Sequence, residues 1–253
     1  MTLELTDAYA HCGLSKWRPL EDVDRVMDRF GVPRAVLVQH LGEFDNSYIE
    51  QVVAARPDRF AGVFLVDTEA PDARDTLAHW ASKGVFRGIR LLARSLEQNP
   101  ALWDDVAKLG LNIIACDTET LAPYADALRG FLKDHPATRM VIAHFGLWIS
   151  WVPVDSEIHD RIQSLAECPG AYLQVSGMHM HGDYPYDEIV PLVRRSLEAF
   201  GPERLLYGSN YPVMEDDAVY GQEIDLVREG NMGVPSDAVG QVMNQTALDM
   251  WFK

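Results

Sequence analysis

The amino-acid sequence predicts a single-domain α/β protein that folds as a (β/α)8, or TIM, barrel, and three observations support this prediction. Eight short apolar or β-branched runs alternate with amphipathic stretches from one end of the chain to the other. The ends of these runs recur every roughly 25 to 33 residues, which is the repeat of a βα unit. No linker rich in Pro, Gly or Ser divides the 253 residues, so residues 1–253 are predicted to form one domain.

Each predicted strand is a short run rich in Val, Ile, Leu or aromatic residues, and a stretch with helical spacing of apolar residues follows it. The strands are predicted at 3–9, 34–40, 60–67, 87–93, 112–117, 139–146, 171–177 and 204–212. Helices are predicted at 20–30, 46–56, 72–83, 100–109, 119–134, 156–167, 187–200 and 219–229, with a closing helix over 236–252. A doubly wound open sheet is the alternative, but it needs a glycine-rich phosphate-binding turn that DAYAHCGL does not supply.

The charge balance narrows the class of partner. The formal net charge is −16, and no cluster of Lys and Arg is long enough to neutralise a run of phosphates. We therefore expect a small-molecule substrate, no nucleic acid and no membrane partner, with a homodimer as the commonest alternative to a monomer. The chain has no long apolar run and no basic, hydrophobic leader, which predicts a cytoplasmic protein. Three widely spaced cysteines without a CxxC pair predict reduced thiols.

Chemistry in a barrel collects where the strands end and the βα loops begin. The residues predicted at these ends are Tyr9, His11, His40, Asp67, Arg90, Arg94, Cys116, Asp117, His144, Ser176, His179, His181 and Asn210. Five of the 8 histidines are among them, and imidazole is the commonest metal ligand and acid–base group near neutral pH. Strand alternation also predicts that Asp7, Tyr9 and His11 point to the same side.

Several phrases follow in an order that resembles a known family. They are TDAYAH, LVQHLGEFDNSYI, RPDRFAGVFLVD, RGIRLL, MVIAHFG, YLQVSGM, RLLYGSNYP and NQTALDMW. Together they resemble the amidohydrolase-related barrels that include pyrone-dicarboxylate and sugar lactonases. The resemblance implies a hydrolase that acts on lactones of small carboxylic or sugar acids. It also implies that relatives differ in metal use, since the wider superfamily binds a divalent metal and the pyrone-dicarboxylate lactonases do not.

The chain departs from the family pattern at two positions. The pattern Asp-x-His-x-His has become a row in which Tyr9 replaces the first histidine, and Gly-Ser-Asp-x-Pro has become a row in which Asn210 replaces the aspartate. A phenol and an amide are poor ligands for a dication, so no metal or other cofactor is favoured. The alternative is a divalent metal such as zinc, held by His11, His144, His179 and His181.

The remaining residues can be given roles in catalysis and binding. His11 or His144 is expected to take a proton from water, with Asp117 or Asp67 as less favoured bases. Tyr9 and Asn210 would donate hydrogen bonds to a developing oxyanion. Arg90 would hold a substrate carboxylate, and further substrate contacts are predicted for His40, Ser176, His179 and Trp148.

The leading functional hypothesis is hydrolysis of a small, anionic cyclic ester, or of a related carbonyl compound, without a metal. A lyase, decarboxylase or isomerase on the same fold is the first alternative, because Asn210 cannot activate water as an aspartate can. A binding protein that keeps the pocket without catalysis is the second. Loss of turnover in His11→Ala and His144→Ala would distinguish the enzymes from the binding protein.

Overall fold

The structure, a computed structural model, describes residues 3–147, 153, 155–214 and 216–253. Eight parallel strands lie in the order β1 to β8. They are β1 (Thr6–Ala10), β2 (Arg34–Val38), β3 (Phe60–Leu65), β4 (Phe86–Leu92), β5 (Asn112–Cys116), β6 (Met140–Ile142), β7 (Ala171–Ser176) and β8 (Leu205–Gly208). The ends of β8 and β1 meet, because His11 N–H donates to the Tyr211 carbonyl at 2.7 Å and Asn210 N–H donates to the Tyr9 carbonyl at 2.8 Å. The predicted (β/α)8 barrel is confirmed.

Helices follow the strands and cover the outside of the barrel. They are α1 (Leu20–Arg29), α2 (Ser47–Ala55), α3 (Ala73–Ser82), α4 (Ser95–Gln98), α5 (Pro100–Lys108), α6 (Ala125–Asp134), α7 (Glu157–Gln163), α8 (Val190–Phe200), α9 (Asp217–Arg228) and α10 (Thr246–Trp251). The predicted closing helix is a π-helical turn at Gln241–Gln245 followed by α10, and the short α4 was not predicted. Within the described ranges, no helix has both the length and the apolar character to cross a bilayer.

Two predicted strands extend furthest beyond the observed ones, each by four residues. The run 139–146 leaves the sheet after Ile142, because His144 and Phe145 adopt positive φ angles of 50° and 57°. The run 204–212 leaves it after Gly208, and Asn210 also has a positive φ of 59°. Such angles are rare outside glycine and break the strand, so the apolar pattern continues where the sheet does not.

The core has two layers, one inside the barrel and one between the barrel and its helices. Inward side chains such as Val36, Val38, Val63 and Ile114 fill the interior. The other faces of the strands pack against the helices, so both faces of each strand are buried. This double burial explains why the strands are nearly continuous apolar runs.

The first strand contains a bulge that changes which side chains face the site. The pairing register between β1 and β2 shifts between Asp7 and Ala10, and Ala8 and Tyr9 pack in the same interior cluster. The Asp7 side chain points the other way and contacts Tyr220 on α9. The prediction that Asp7, Tyr9 and His11 share one side is therefore wrong for Asp7, because a bulge interrupts the alternation.

The Asp7 carboxylate ties β1 to the segment after β8. Its Oδ1 accepts from the backbone N–H groups of Ser209 at 2.9 Å and of Tyr9 at 3.1 Å. Its Oδ2 accepts from the Ser209 hydroxyl at 2.6 Å and from the Tyr220 hydroxyl at 3.2 Å. Burial raises the pKa of Asp7 to about 6, and these four hydrogen bonds oppose the rise.

We expect the variant Asp7→Asn to change the pH dependence of stability. The pKa of Asp7 is about 6 in the folded chain, against an ordinary value of 3.8. Between pH 3.8 and pH 6, the folded state therefore holds a proton on Asp7 that the unfolded state has lost. The free energy of unfolding of the unmodified chain should therefore fall by about 2.5 kcal/mol relative to the variant as pH rises from 4 to 7. Urea unfolding at several pH values measures this difference. Parallel pH curves for the two proteins would contradict it.

Candidate active site

Tyr9 lies between two histidine rings of the predicted site. Its ring centre is 5.1 Å from that of His11 and 4.7 Å from that of His144, and both contacts are edge-to-face. Gly208 of β8 makes room for Tyr9, since a Cβ atom at Gly208 would lie 2.6 Å from the Tyr9 Cβ. The Tyr9 hydroxyl is buried and has no hydrogen-bond partner among the described residues, so its O–H can serve a bound molecule.

His11 is held as a neutral imidazole of defined tautomer. Its Nδ1 lies 2.6 Å from the Val38 carbonyl oxygen, which can only accept, so Nδ1 carries the hydrogen and Nε2 carries the lone pair. Burial, followed by the positive charge of Arg90, lowers the pKa of His11 to about 3. The Trp17 ring stacks on this imidazole with 5.7 Å between ring centres.

His144 is held in a similar way from another direction. Its Nδ1 lies 2.8 Å from the Ser176 hydroxyl, and that hydroxyl donates its one hydrogen to Gln174 Oε1 at 3.2 Å. The Ser176 oxygen therefore accepts from Nδ1–H, which again leaves the lone pair on Nε2. Burial, followed by the charge of Arg90, holds the pKa of His144 well below its ordinary value. Gly177, with φ of 66°, allows the backbone to pass beside this ring.

Arg90 connects the imidazoles to a cavity. Its side chain is buried, with its Nε donating to Cys116 Sγ at 3.3 Å and its Nη1 donating to the Gln39 carbonyl at 3.1 Å. The guanidinium carbon lies 5.7 Å from the centre of the Tyr9 ring. On its other side Arg90 lines a cavity of about 390 Å³ over the ends of β2 to β5, a size typical of small-molecule sites.

The cavity wall is mixed in character. Leu41, Phe44 and Leu92 supply apolar surface, and Thr68 and Thr118 supply hydroxyl groups. Arg94 also lines the cavity, but its Nη1 donates to Asp117 Oδ1 at 2.9 Å and its backbone N–H donates to Asp117 Oδ2 at 3.0 Å. Because this carboxylate already binds Arg94, Asp117 is poorly placed to act as a base.

Asn210 lies where β8 meets β1, and its left-handed backbone is one that Asn tolerates well. Its Nδ2 donates to Met180 Sδ at 3.4 Å. Its side chain also contacts His11 and opposes the fall in the pKa of that imidazole. Oδ1 of Asn210 is buried without a partner in the described part of the chain, so it is available to a ligand.

The other predicted site histidines lie at different places on the rim. His40 packs edge-on to Trp17, with 6.3 Å between ring centres. His179 Nδ1 lies 3.1 Å from Glu223 Oε1, and burial lowers the pKa of His181 to about 4, with the neighbouring His179 adding to the effect. Trp148, a predicted substrate contact, lies outside the described residues.

Four side chains that contribute to the site were not predicted from the sequence. They are Trp17, Gln174, Met180 and Glu223. Trp17 stands in the loop after β1, where an aromatic residue can cover a site, and this position was the available signal. Gln174 and Glu223 lie within β7 and α9, and nothing in their local sequence distinguishes them from ordinary polar positions.

The imidazole pair and the buried arginine lie at the carboxyl ends of the strands, which is where enzymes with a (β/α)8 barrel place their active sites. A family model described as amidohydrolase matches residues 3–253, so the chain belongs to the amidohydrolase family. The sequence is 28% identical over 206 residues to an L-fucono-1,5-lactonase of Burkholderia ambifaria, covering 76% of this chain and 69% of the relative. It is 27% identical over 208 residues to a 4-sulfomuconolactone hydrolase of Rhizobium radiobacter, covering 77% of this chain and 66% of that relative. The chain is a lactonase-like enzyme of this family.

Solved structures show the same fold. A putative 2-pyrone-4,6-dicarboxylic acid hydrolase of Pseudomonas putida has a TM-score of 0.79 at 20% identity, covering 99% of this chain and 98% of its own. A zinc-bound amidohydrolase of Burkholderia multivorans has a TM-score of 0.76 at 17% identity, with 98% of each chain covered. A 2,6-dihydroxybenzoate decarboxylase from Rhizobium has a TM-score of 0.74 at 13% identity, also with 98% of each covered.

The residues of this chain do not fit the metal that some of these barrels hold. His11 and His144 are imidazoles, but the positions beside them are the Tyr9 phenol and the Asn210 amide, neither of which is a good ligand for zinc. Across residues 3–147, 153, 155–214 and 216–253, no three His, Cys, Asp or Glu side chains converge as a ligand set. The alternative ligand set with His179 and His181 is not assembled there.

We expect the variant Asn210→Asp to raise the pKa of His11. The new carboxylate would lie beside the imidazole and stabilise its charged form, and an adjacent opposite charge shifts a pKa by about 1 to 3 units. Histidine NMR titration measures the change from the present pKa of about 3. The variant Asn231→Asp adds the same charge at an exposed position and serves as the control. An unchanged His11 titration would show that residue 210 does not act on this imidazole.

Proposed function

We propose that this chain hydrolyses a small cyclic ester that carries a carboxylate, and that it does so without a metal. The observation that supports the proposal most directly is the pair of neutral imidazoles, each with Nδ1–H bound to the protein and Nε2 as the acceptor. An acceptor nitrogen of this kind orients a water molecule and takes its proton as the water attacks a carbonyl carbon.

The hydrogen-bond donors of the site suit the oxygen that develops charge in this attack. The Tyr9 hydroxyl, between the two imidazoles, is available as a donor. The Arg90 guanidinium lies against the same ring and supplies a fixed positive charge. A buried cation and a preorganised O–H group stabilise an oxyanion more strongly than water does, because the surroundings exclude solvent.

Arg90 also links substrate charge to the basicity of the imidazoles. Its positive charge contributes to the low pKa values of His11 and His144. A substrate carboxylate bound to the guanidinium would cancel part of that effect and raise both pKa values. The imidazoles would thus become better bases when an anionic substrate is present, which favours a charged lactone over a neutral one.

The donor set at the centre of the site supports a reaction that uses only protein groups. Tyr9 and Asn210 replace the imidazole and carboxylate that a divalent metal prefers. Both replacements keep the capacity for hydrogen bonding, which is what orientation of a lactone carbonyl requires.

The cytoplasmic location and the homodimer stay predictions.

A comparison of Arg90→Gln with Arg94→Gln tests the proposed substrate charge. Loss of a charged hydrogen bond costs about 1.5 to 3 kcal/mol, so Arg90→Gln should raise the KM of a carboxylated lactone by about 10-fold to 100-fold. The KM of a neutral lactone of the same ring size should rise much less. Arg94→Gln is the matched control, because that guanidinium already binds Asp117. Steady-state kinetics with the two lactones measure both effects, and equal losses for both lactones would contradict the assignment.

A further inference from the structure

The loop after β1 places an indole ring against one of the proposed catalytic imidazoles. The Trp17 ring stacks on His11, with 5.7 Å between the ring centres and 14° between the ring planes. The same indole meets the His40 ring edge to face, with 6.3 Å between the centres. Trp17 therefore belongs to the barrel mouth and contacts the imidazole that is proposed to act on water.

The indole N–H of Trp17 is a hydrogen-bond donor that the described protein does not use. Nε1 is buried and has no hydrogen-bond partner among the described residues, although buried N–H groups are nearly always paired. Nε1 of Trp251 shares this state within the interior core, so an unpaired indole N–H does not by itself define a site. Trp17 differs because it contacts His11, as does Tyr9 with its own unused hydroxyl.

The backbone of Trp17 is strained. Its φ angle is 69°, in the left-handed region that bulky side chains rarely adopt. Such a conformation costs free energy and persists where the surrounding structure enforces it, commonly at ligand-binding positions. Trp17 is only partly buried, so core packing does not explain why the chain accepts this cost. The conformation indicates that the position of the indole over His11 is what the loop maintains.

The loop that carries Trp17 is fixed at both ends. The Gly13 N–H donates to the Arg18 carbonyl at 3.0 Å, which closes the loop on itself. Nη1 of Arg18 donates to the Tyr211 hydroxyl at 2.9 Å and to Asp217 Oδ1 at 2.6 Å. Tyr211 follows β8 and Asp217 begins α9, so the loop is tied to the place where the barrel closes. A donor held in this way loses little freedom when it binds a ligand.

We infer that Trp17 is a substrate-binding residue of the active site, whose ring covers the His11 imidazole and whose indole N–H donates to an oxygen of the bound lactone. The inference rests on the proposed lactone hydrolysis, which supplies the identity of the ligand. Tyr9 and Arg90 already supply a donor and a charge for the carbonyl oxygen. The indole N–H is therefore assigned to an oxygen whose charge does not change during the attack. Such a contact is equal before and during the reaction, so it lowers KM and leaves kcat unchanged.

The variant Trp17→Phe tests the indole N–H, because phenylalanine keeps an aromatic ring over His11 and removes the donor. For paraconic acid, a five-membered lactone that carries a carboxylate, KM should rise by about 3-fold to 10-fold while kcat stays within about 2-fold. Trp80→Phe is the matched control, because Trp80 lies on α3 and packs against Phe86 at the start of β4, away from the barrel mouth. An unchanged KM in Trp17→Phe, or a fall in kcat alone, would overturn the assignment.

Proton NMR of the histidine rings tests the stack without a substrate. The ring current of a stacked indole shifts the ring C–H resonances of His11 upfield, so Trp17→Leu should move them downfield. His135, which packs against Phe131 at the end of α6, is the internal control and should not move. Unmoved His11 resonances in Trp17→Leu would overturn the placement of the indole.

The failure of this inference is distinguishable from the failure of the proposed function. Hydrolysis of paraconic acid by the unmodified protein, with the same KM in Trp17→Phe, would overturn the role of Trp17 alone. No hydrolysis of carboxylated five-membered or six-membered lactones by the unmodified protein would overturn the proposed function, and with it the ligand assigned to Trp17.

Discussion

The hydrogen bonds to the buried Asp7 carboxylate set the geometry on which the active site depends. Four donors from Ser209, Tyr9 and Tyr220 converge on it, so β1, the segment after β8 and α9 are joined at one point. The bulge at this point turns Tyr9 into the barrel while Asp7 turns outward. Protein donors enclose this carboxylate, and Tyr9, His11 and Asn210 all extend from backbone that it fixes.

A second constraint is electrostatic, because the site concentrates a cation and several imidazoles in a buried space. The imidazoles of His11 and His144 remain neutral in this space. Burial is the main cause of their low pKa values, and the charge of Arg90 is a further cause. His179, on the turn after β7, has the Glu223 carboxylate bonded to its ring.

The fold could be predicted because eight apolar runs with intervening helices leave few alternative folds. The proximity of His11, His144 and Arg90 could be predicted because all three were placed at strand ends, which meet at one end of a barrel. The orientation of Asp7 could not be predicted, because a bulge depends on pairing with β2 and β8 rather than on local pattern. Glu223 was missed for a related reason. It lies on α9, 44 residues from His179, and only the packed structure brings the two together.

The most direct test of the account is the metal content of the protein, measured by plasma mass spectrometry together with lactone hydrolysis before and after chelation. The protein should be purified without a chelator and without an affinity-tag metal, so that neither step changes its content. We expect far less than one metal ion per chain and hydrolysis that chelation does not reduce. Near-stoichiometric zinc, with activity that is lost on chelation and regained on adding the metal back, would contradict the central claim that neutral imidazoles and Arg90 suffice.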